Sequence, residues 1–150
     1  MQTKGEIAKQ YFLDGYNCAQ AVVLAFAQDF GLDKNTAVML SSSFGGGMGR
    51  LREVCGAVSG MFMVLGLKYG YASPEDNQAK KELYKKVQEV AGLFKDDNGS
   101  IICRELLGLN QTGKSDPTPE LRTESYYKKR PCKDLVQFAA DLVDEYIKNH

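Results

Sequence analysis

The sequence predicts an all-α fold: a single-domain, irregular bundle of about six to seven helices over residues 1–150. Three observations carry this. Apolar residues recur every three or four positions through most of the chain, and no segment alternates with the period of two that a half-buried strand needs. Capping residues and glycines punctuate these runs where helices start and stop. And Val54 to Leu67 is a run of 14 uncharged residues, shorter than the ~18 of a membrane span, which reads as a helix buried in the centre of the bundle.

Taken in order, residues 4 to 14 form a short helix around Ile7, Tyr11 and Phe12. Asn17, with Gln20 three positions on, opens a second helix in the manner of a capping box. Ala19, Val22, Val23, Phe26, Ala27 and Phe30 make its apolar stripe, and Gly31 ends it. Asp33 starts a third helix that stops at Ser41-Ser42-Ser43. Gly45, Gly46, Gly47 and Gly49 follow. Each costs a helix ~1 kcal/mol against alanine, so this is a tight turn. The central helix runs from about 53 to 69, with Gly56 and Gly60 forming a small-residue strip for close packing. Ser73-Pro74 starts a fifth helix that buries Leu83, Val87, Val90 and Phe94, and Asp97-Asn98-Gly99 is a turn. Ile101 to Leu107 is a short sixth helix. A polar loop spans about 109–128, long for a compact domain. Arg130-Pro131 begins the last helix, which turns Leu135, Ala139, Leu142, Val143 and Tyr146 inward.

The charge balance narrows the function. Lys plus Arg and Asp plus Glu are 19 each, for zero formal charge, so no overall field attracts nucleic acid. No membrane insertion is expected. The first residues lack a basic segment followed by an apolar stretch, so a cytoplasmic location with reduced thiols is the expectation. His150 is the only histidine and the last residue, which leaves cysteine–histidine catalysis without a partner.

The chemistry therefore falls to Cys18, Cys55, Cys103 and Cys132. They lie 37, 48 and 29 residues apart (55−18, 103−55, 132−103), with no Cys-x-x-Cys pair. Cys18, Cys55 and Cys132 each fall near a helix start, where unpaired N–H groups favour thiolate over thiol. Arg50 and Arg52 add positive charge near Cys55, as do Arg130 and Lys133 near Cys132. Cys55 is the favoured reactive thiolate, with Cys18 or Cys132 to resolve it. Cys103 points inward. On spacing alone, the four serve equally well as small core residues.

Asn17-Cys18-Ala19-Gln20, the glycine turn 44–49, Cys55-Gly56-Ala57-Val58-Ser59-Gly60 and single cysteines at 103 and 132 together resemble the C_GCAxxG_C_C family, described as redox-active proteins. The resemblance covers essentially the whole chain. It implies a thiol-redox or metal-linked role. The favoured reading is a cysteine-based redox protein, an oxidoreductase where catalytic, working by thiol–disulfide exchange or electron transfer with a small-molecule or protein partner, a reading that requires no cofactor. Gly46, Gly47, Gly49, Arg50, Arg52 and Gly56 are candidates to hold a small anionic substrate, through free N–H groups and guanidiniums. Two alternatives stand beside it. The four cysteines have the right number for zinc or an iron–sulfur cluster, with Cys18, Cys55, Cys103 and Cys132 as ligands. Or the chain is a non-catalytic helical interaction module. The glycine-lined central helix also allows a homodimer.

Overall fold

Local capping chemistry sets where most helices begin. In the computed structural model, which describes residues 1–109 and 116–150, the Thr3 hydroxyl accepts the Glu6 N–H and starts α1 (Lys4–Leu13). Asn17 starts α2 (Cys18–Ala27) with a full capping box. Its side chain accepts the Gln20 N–H at 2.9 Å, and Gln20 Oε1 accepts the Asn17 N–H at 3.0 Å. A 3₁₀ turn over Gln28–Phe30 closes α2 before Gly31. Asp33 caps α3 (Lys34–Ser41). The remaining helices are α4 (Gly56–Tyr69), α5 (Asn77–Asn98), α6 (Cys103–Leu106), α7 (Glu124–Lys129) and α8 (Cys132–Lys148). The described residues form an all-α fold.

Several boundaries differ from the sequence expectation. The central helix α4 begins at Gly56 rather than about 53, because Val54 and Ile102 form an antiparallel bridge. The Cys55 N–H donates to Ile101 O at 2.8 Å and the Cys103 N–H to Glu53 O at 2.6 Å. The same bridge moves the start of the sixth helix from Ile101 to Cys103; the helix ends at Leu106, with Leu107 as its C-cap. α5 is capped by Asp76, whose carboxylate accepts the Ala79 N–H at 3.0 Å, while the Ser73 hydroxyl accepts the Glu75 N–H and its carbonyl the Asp76 N–H. It then runs through Asn98 and ends at Gly99, φ 89°, so Asp97 and Asn98 are helical. The expected loop at about 109–128 contains α7, capped by Thr123; its residues 110–115 lie outside the described ones.

The core is built on α4, which packs against α2, α5 and α8. Ala57, Val58, Met61, Val64 and Leu65 are fully buried there with Phe12, Val22, Val90, Phe94, Val136 and Val143. A smaller cluster of Val23, Leu24, Ala27 and Ala37 joins α2 to α3. α1 is tied to α8 by the Gly5 N–H, which donates to Asp141 Oδ1 at 2.7 Å. Among the described residues no helix is long and apolar enough to cross a membrane.

The glycines of α4 set its distance to α2. A Cβ on Gly60 would lie 2.8 Å from Val22 Cβ and 3.1 Å from Ala19 O. Gly92 of α5 has open space around it. Gly60→Ala should therefore lower stability by about 1–3 kcal/mol through overpacking, whereas Gly92→Ala should raise it by ~1 kcal/mol through helix propensity. Urea denaturation followed by circular dichroism reads both, and opposite signs are the expected outcome.

Candidate functional site

The glycine turn wraps the wrong way for L-residues. Gly46, Gly47, Met48, Gly49 and Arg50 all have positive φ, at 70°, 70°, 68°, 61° and 64°, and Arg52 follows at 61°. This is a left-handed turn, whose cost of ~1–2 kcal/mol per L-residue glycine avoids. Met48, Arg50 and Arg52 bear it. Gly47 is constrained doubly, since a Cβ there would lie 2.5 Å from Cys103 Cβ and 2.8 Å from Arg52 Cα. The turn satisfies itself. The N–H groups of Gly49 and Arg50 donate to Gly45 O, that of Leu51 to Met48 O, that of Arg52 to Gly46 O and that of Glu53 to Gly47 O. The sequence expectation that free N–H groups along this loop hold an anion is thus corrected for residues 49–53, and positive charge at the site comes from side chains.

All four cysteines line one small cavity of about 70 Å³. Each stands at a helix N-terminus. Cys18, Cys103 and Cys132 are the first residues of α2, α6 and α8, and Cys55 is the cap of α4. Cys103, expected mid-helix, joins the other three in this respect. Gly46, Gly47 and Gly56 also line the cavity, and Gly56 lets α4 meet α2 closely: a Cβ on it would lie 3.0 Å from Cys18 Cβ.

The four thiols are not equivalent. The Cys18 thiol donates to the Cys132 sulfur. This hydrogen bond is the main reason that Cys132 is lowered to about 7; Arg130, Arg122 and Arg52 add to it against the opposing effect of burial. Cys18 is raised well above the ordinary range by that same bond, then by burial. Cys55, favoured from sequence as the thiolate, is pushed up to about 12 by burial, although the Val58 and Ala57 N–H groups pull the other way. Burial also raises Cys103, opposed by Arg52, whose Nη1 donates to Cys103 Sγ at 3.6 Å. Arg52 thus serves Cys103 and Cys132, not the Cys55 expected from their closeness in sequence.

A second cavity of about 270 Å³ adjoins the first and shares Asn17, Gly46, Arg52, Arg122, Tyr126 and Arg130 with it. Gly49 and Arg50 line it as well, so each of the six residues expected from sequence to hold an anion borders one cavity or the other. Sequence reasoning missed Arg122. It donates to Phe12 O at 3.0 Å and Tyr16 O at 3.1 Å and lies 4.2 Å from the Phe12 ring centroid. It sits in the polar segment, and no local signal marks it. Tyr126 borders the cavities while Tyr127 packs edge-on to Phe12. His150 stacks on Tyr146 at 3.9 Å, away from the thiols. No group of three or more Cys, His, Asp or Glu side chains among the described residues is arranged to hold a metal ion, so the zinc or cluster reading of the four cysteines finds no ligand geometry there.

Four cysteines gathered from helices distant in sequence, with a left-handed glycine turn against them, is the arrangement to compare with known proteins. The model of the C_GCAxxG_C_C family, whose description reads "Putative redox-active protein", matches residues 16–146. The chain belongs to this family. No curated protein matches the chain, and no solved structure does. The C_GCAxxG_C_C signature has a direct structural meaning here. Cys55 caps α4 on the cavity, and Gly56 and Gly60 hold α4 against the start of α2, which carries Cys18.

Alkylation of individual cysteines, followed by mass spectrometry across pH, checks the electrostatics. Cys132 should react along a titration centred at about 7, and Cys55 should stay unreactive through the neutral range. Arg130→Gln removes a positive charge that stabilises the thiolate, so the Cys132 titration should move to higher pH and its rate at neutral pH should fall.

Proposed function

We propose that the protein is a thiol–disulfide oxidoreductase of a reducing cytoplasm, with Cys132 as the attacking thiolate and Cys18 as the resolving thiol. The observation that carries this reading is the meeting of Cys18 and Cys132 in one small cavity edged by Arg52, Arg122 and Arg130, where each thiol acts on the other so that Cys132 is lowered and Cys18 raised. A thiol that ionises near ambient pH is the best attacker, because it combines a useful thiolate fraction with nucleophilicity.

The chemistry balances without a cofactor. The Cys132 thiolate attacks one sulfur of a substrate disulfide; that S–S bond breaks, and the leaving thiolate takes a proton. Cys18 gives up its proton and attacks Cys132 in the mixed disulfide, releasing the second substrate thiol. The protein ends with a Cys18–Cys132 disulfide, oxidised by two electrons, and the substrate is reduced to two thiols. The guanidiniums of Arg52, Arg122 and Arg130 favour the thiolate and an anionic substrate over a cationic one. Cys55 and Cys103, held as neutral buried thiols, support the cavity wall.

Titration with a small disulfide, then peptide mapping under non-reducing conditions, tests the assignment. The expected product is a Cys18–Cys132 disulfide with loss of two thiols together. Cys18→Ser should stop at the mixed disulfide on Cys132, and Cys132→Ser should abolish both steps. Cys55→Ser should leave the Cys18–Cys132 product in place. A different pair, or no pair at all, would overturn the proposal.

A further inference from the structure

Resting on the redox reading above, we infer that the substrate is a low-molecular-weight disulfide bearing a carboxylate, bound with its sulfur in the cysteine cavity and its carboxylate among the arginines. The first support is how charge is distributed. Arg52, Arg122 and Arg130 border both cavities; of the acidic groups nearby, Glu120 is already paired with Arg130 and Asp116 lies under the influence of Arg50. The inner cavity carries Arg52, Arg122 and Arg130 and no acidic side chain.

The second support is Arg52. It is 7% exposed, and its Nε has no hydrogen-bond partner. No carboxylate among the described residues is paired with it, and its Nη1 reaches only the weak acceptor Cys103 Sγ. A buried guanidinium with an unfilled donor, bordering both cavities, costs free energy until an anion meets it. A carboxylate accepts such donors in the fork geometry that guanidinium favours.

The third support is the charge change along the reaction. Before attack, the Cys132 thiolate offsets part of the positive field from Arg130, Arg122 and Arg52. In the mixed disulfide that sulfur is neutral, and Arg122 and Arg52 lose that counter-charge while Arg130 keeps Glu120. A carboxylate delivered by the substrate restores it at the moment the intermediate forms. Separation of the cavities sets the shape. The thiols stand in about 70 Å³ and the wider space of about 270 Å³ lies beside it, so the reacting sulfur and the anion belong to different ends of the molecule. In an inorganic oxyanion the reducible atom is itself the anionic centre.

Three disulfides separate the possibilities: 3,3′-dithiodipropionate, with two carboxylates; bis(2-hydroxyethyl) disulfide, neutral; and cystamine, with two ammonium groups. The rate of Cys132 mixed-disulfide formation is measured for each by acid quench and intact mass at low salt and near neutral pH, and divided by the rate with a free small thiol. The dicarboxylate should react about tenfold faster than the neutral compound, with cystamine slowest, and added salt should narrow the gap. In Arg52→Gln and Arg122→Gln the dicarboxylate-to-neutral ratio should collapse toward one. The ratio cancels any change in Cys132 ionisation, because both compounds meet the same thiolate. Equal rates in the native protein, or a preference unchanged in both variants, would overturn the inference while a Cys18–Cys132 disulfide still forms. Failure of all three compounds to oxidise the pair would instead bring down the redox reading beneath it.

Discussion

The close approach of α4 to α2 is the contact on which the rest of the molecule depends. Gly60 against Val22 and Ala19, and Gly56 against Cys18 and Phe44 O, leave no room for a side chain. Both helices are apolar on nearly every face, which lets them form the interior. Because the two helices touch at their N-terminal ends, Cys18 and Cys55 share a cavity. The bridge between Val54 and Ile102 then brings in Cys103, and α8, packed on both α1 and α4, brings Cys132. The cavity is thus a consequence of packing at one end of the bundle, where four helices begin.

That convergence concentrates positive potential, since α2, α4 and α8 turn their N-terminal ends toward it. The arginines add to it from two directions. Arg50 and Arg52 come from the left-handed turn, and Arg122 and Arg130 from the segment around α7. Arg122 is anchored by the Phe12 carbonyl at the end of α1 and the Tyr16 carbonyl in the link to α2, so the segment that closes the outer cavity is bound to the bundle by one of the residues lining it. Strain at Met48, Arg50 and Arg52 is the cost of presenting two guanidiniums from so short a turn.

Much of the scaffold was legible in the sequence because its determinants are local. Asn17 and Gln20 form the capping box that their spacing suggests, and the uncharged run after Val54 does become the central helix. Where reading failed, a tertiary partner or a rival cap decided. Glu53 and Val54 are extended because Ile102 and Cys103 lie beside them, and Asp76 displaces Ser73 as the cap of α5. The site was legible as a list of residues but not as an arrangement. Nothing within 37 residues of Cys18 announces that Cys132 is its neighbour, and Arg122 carries no periodic or motif signal at all. Its role exists only once α1 ends beneath it.

The four cysteines form an internal comparison that separates two causes of thiol acidity. All four stand at helix N-termini, the feature from which the sequence reading inferred reactivity. Yet only Cys132 is lowered; Cys55 is raised to about 12 despite two N–H groups aimed at its sulfur. At Cys55 those two N–H groups do not overcome burial. What distinguishes Cys132 is a second thiol that donates to it, together with three guanidiniums within reach. Cys55 and Cys103 see mainly apolar walls and, for Cys103, one arginine. A buried thiolate is tolerable only where charged or hydrogen-bonding groups replace water. In this fold those groups meet at the start of α8, which is why Cys132, and not the Cys55 of the signature hexapeptide, is the cysteine whose ionisation is lowered.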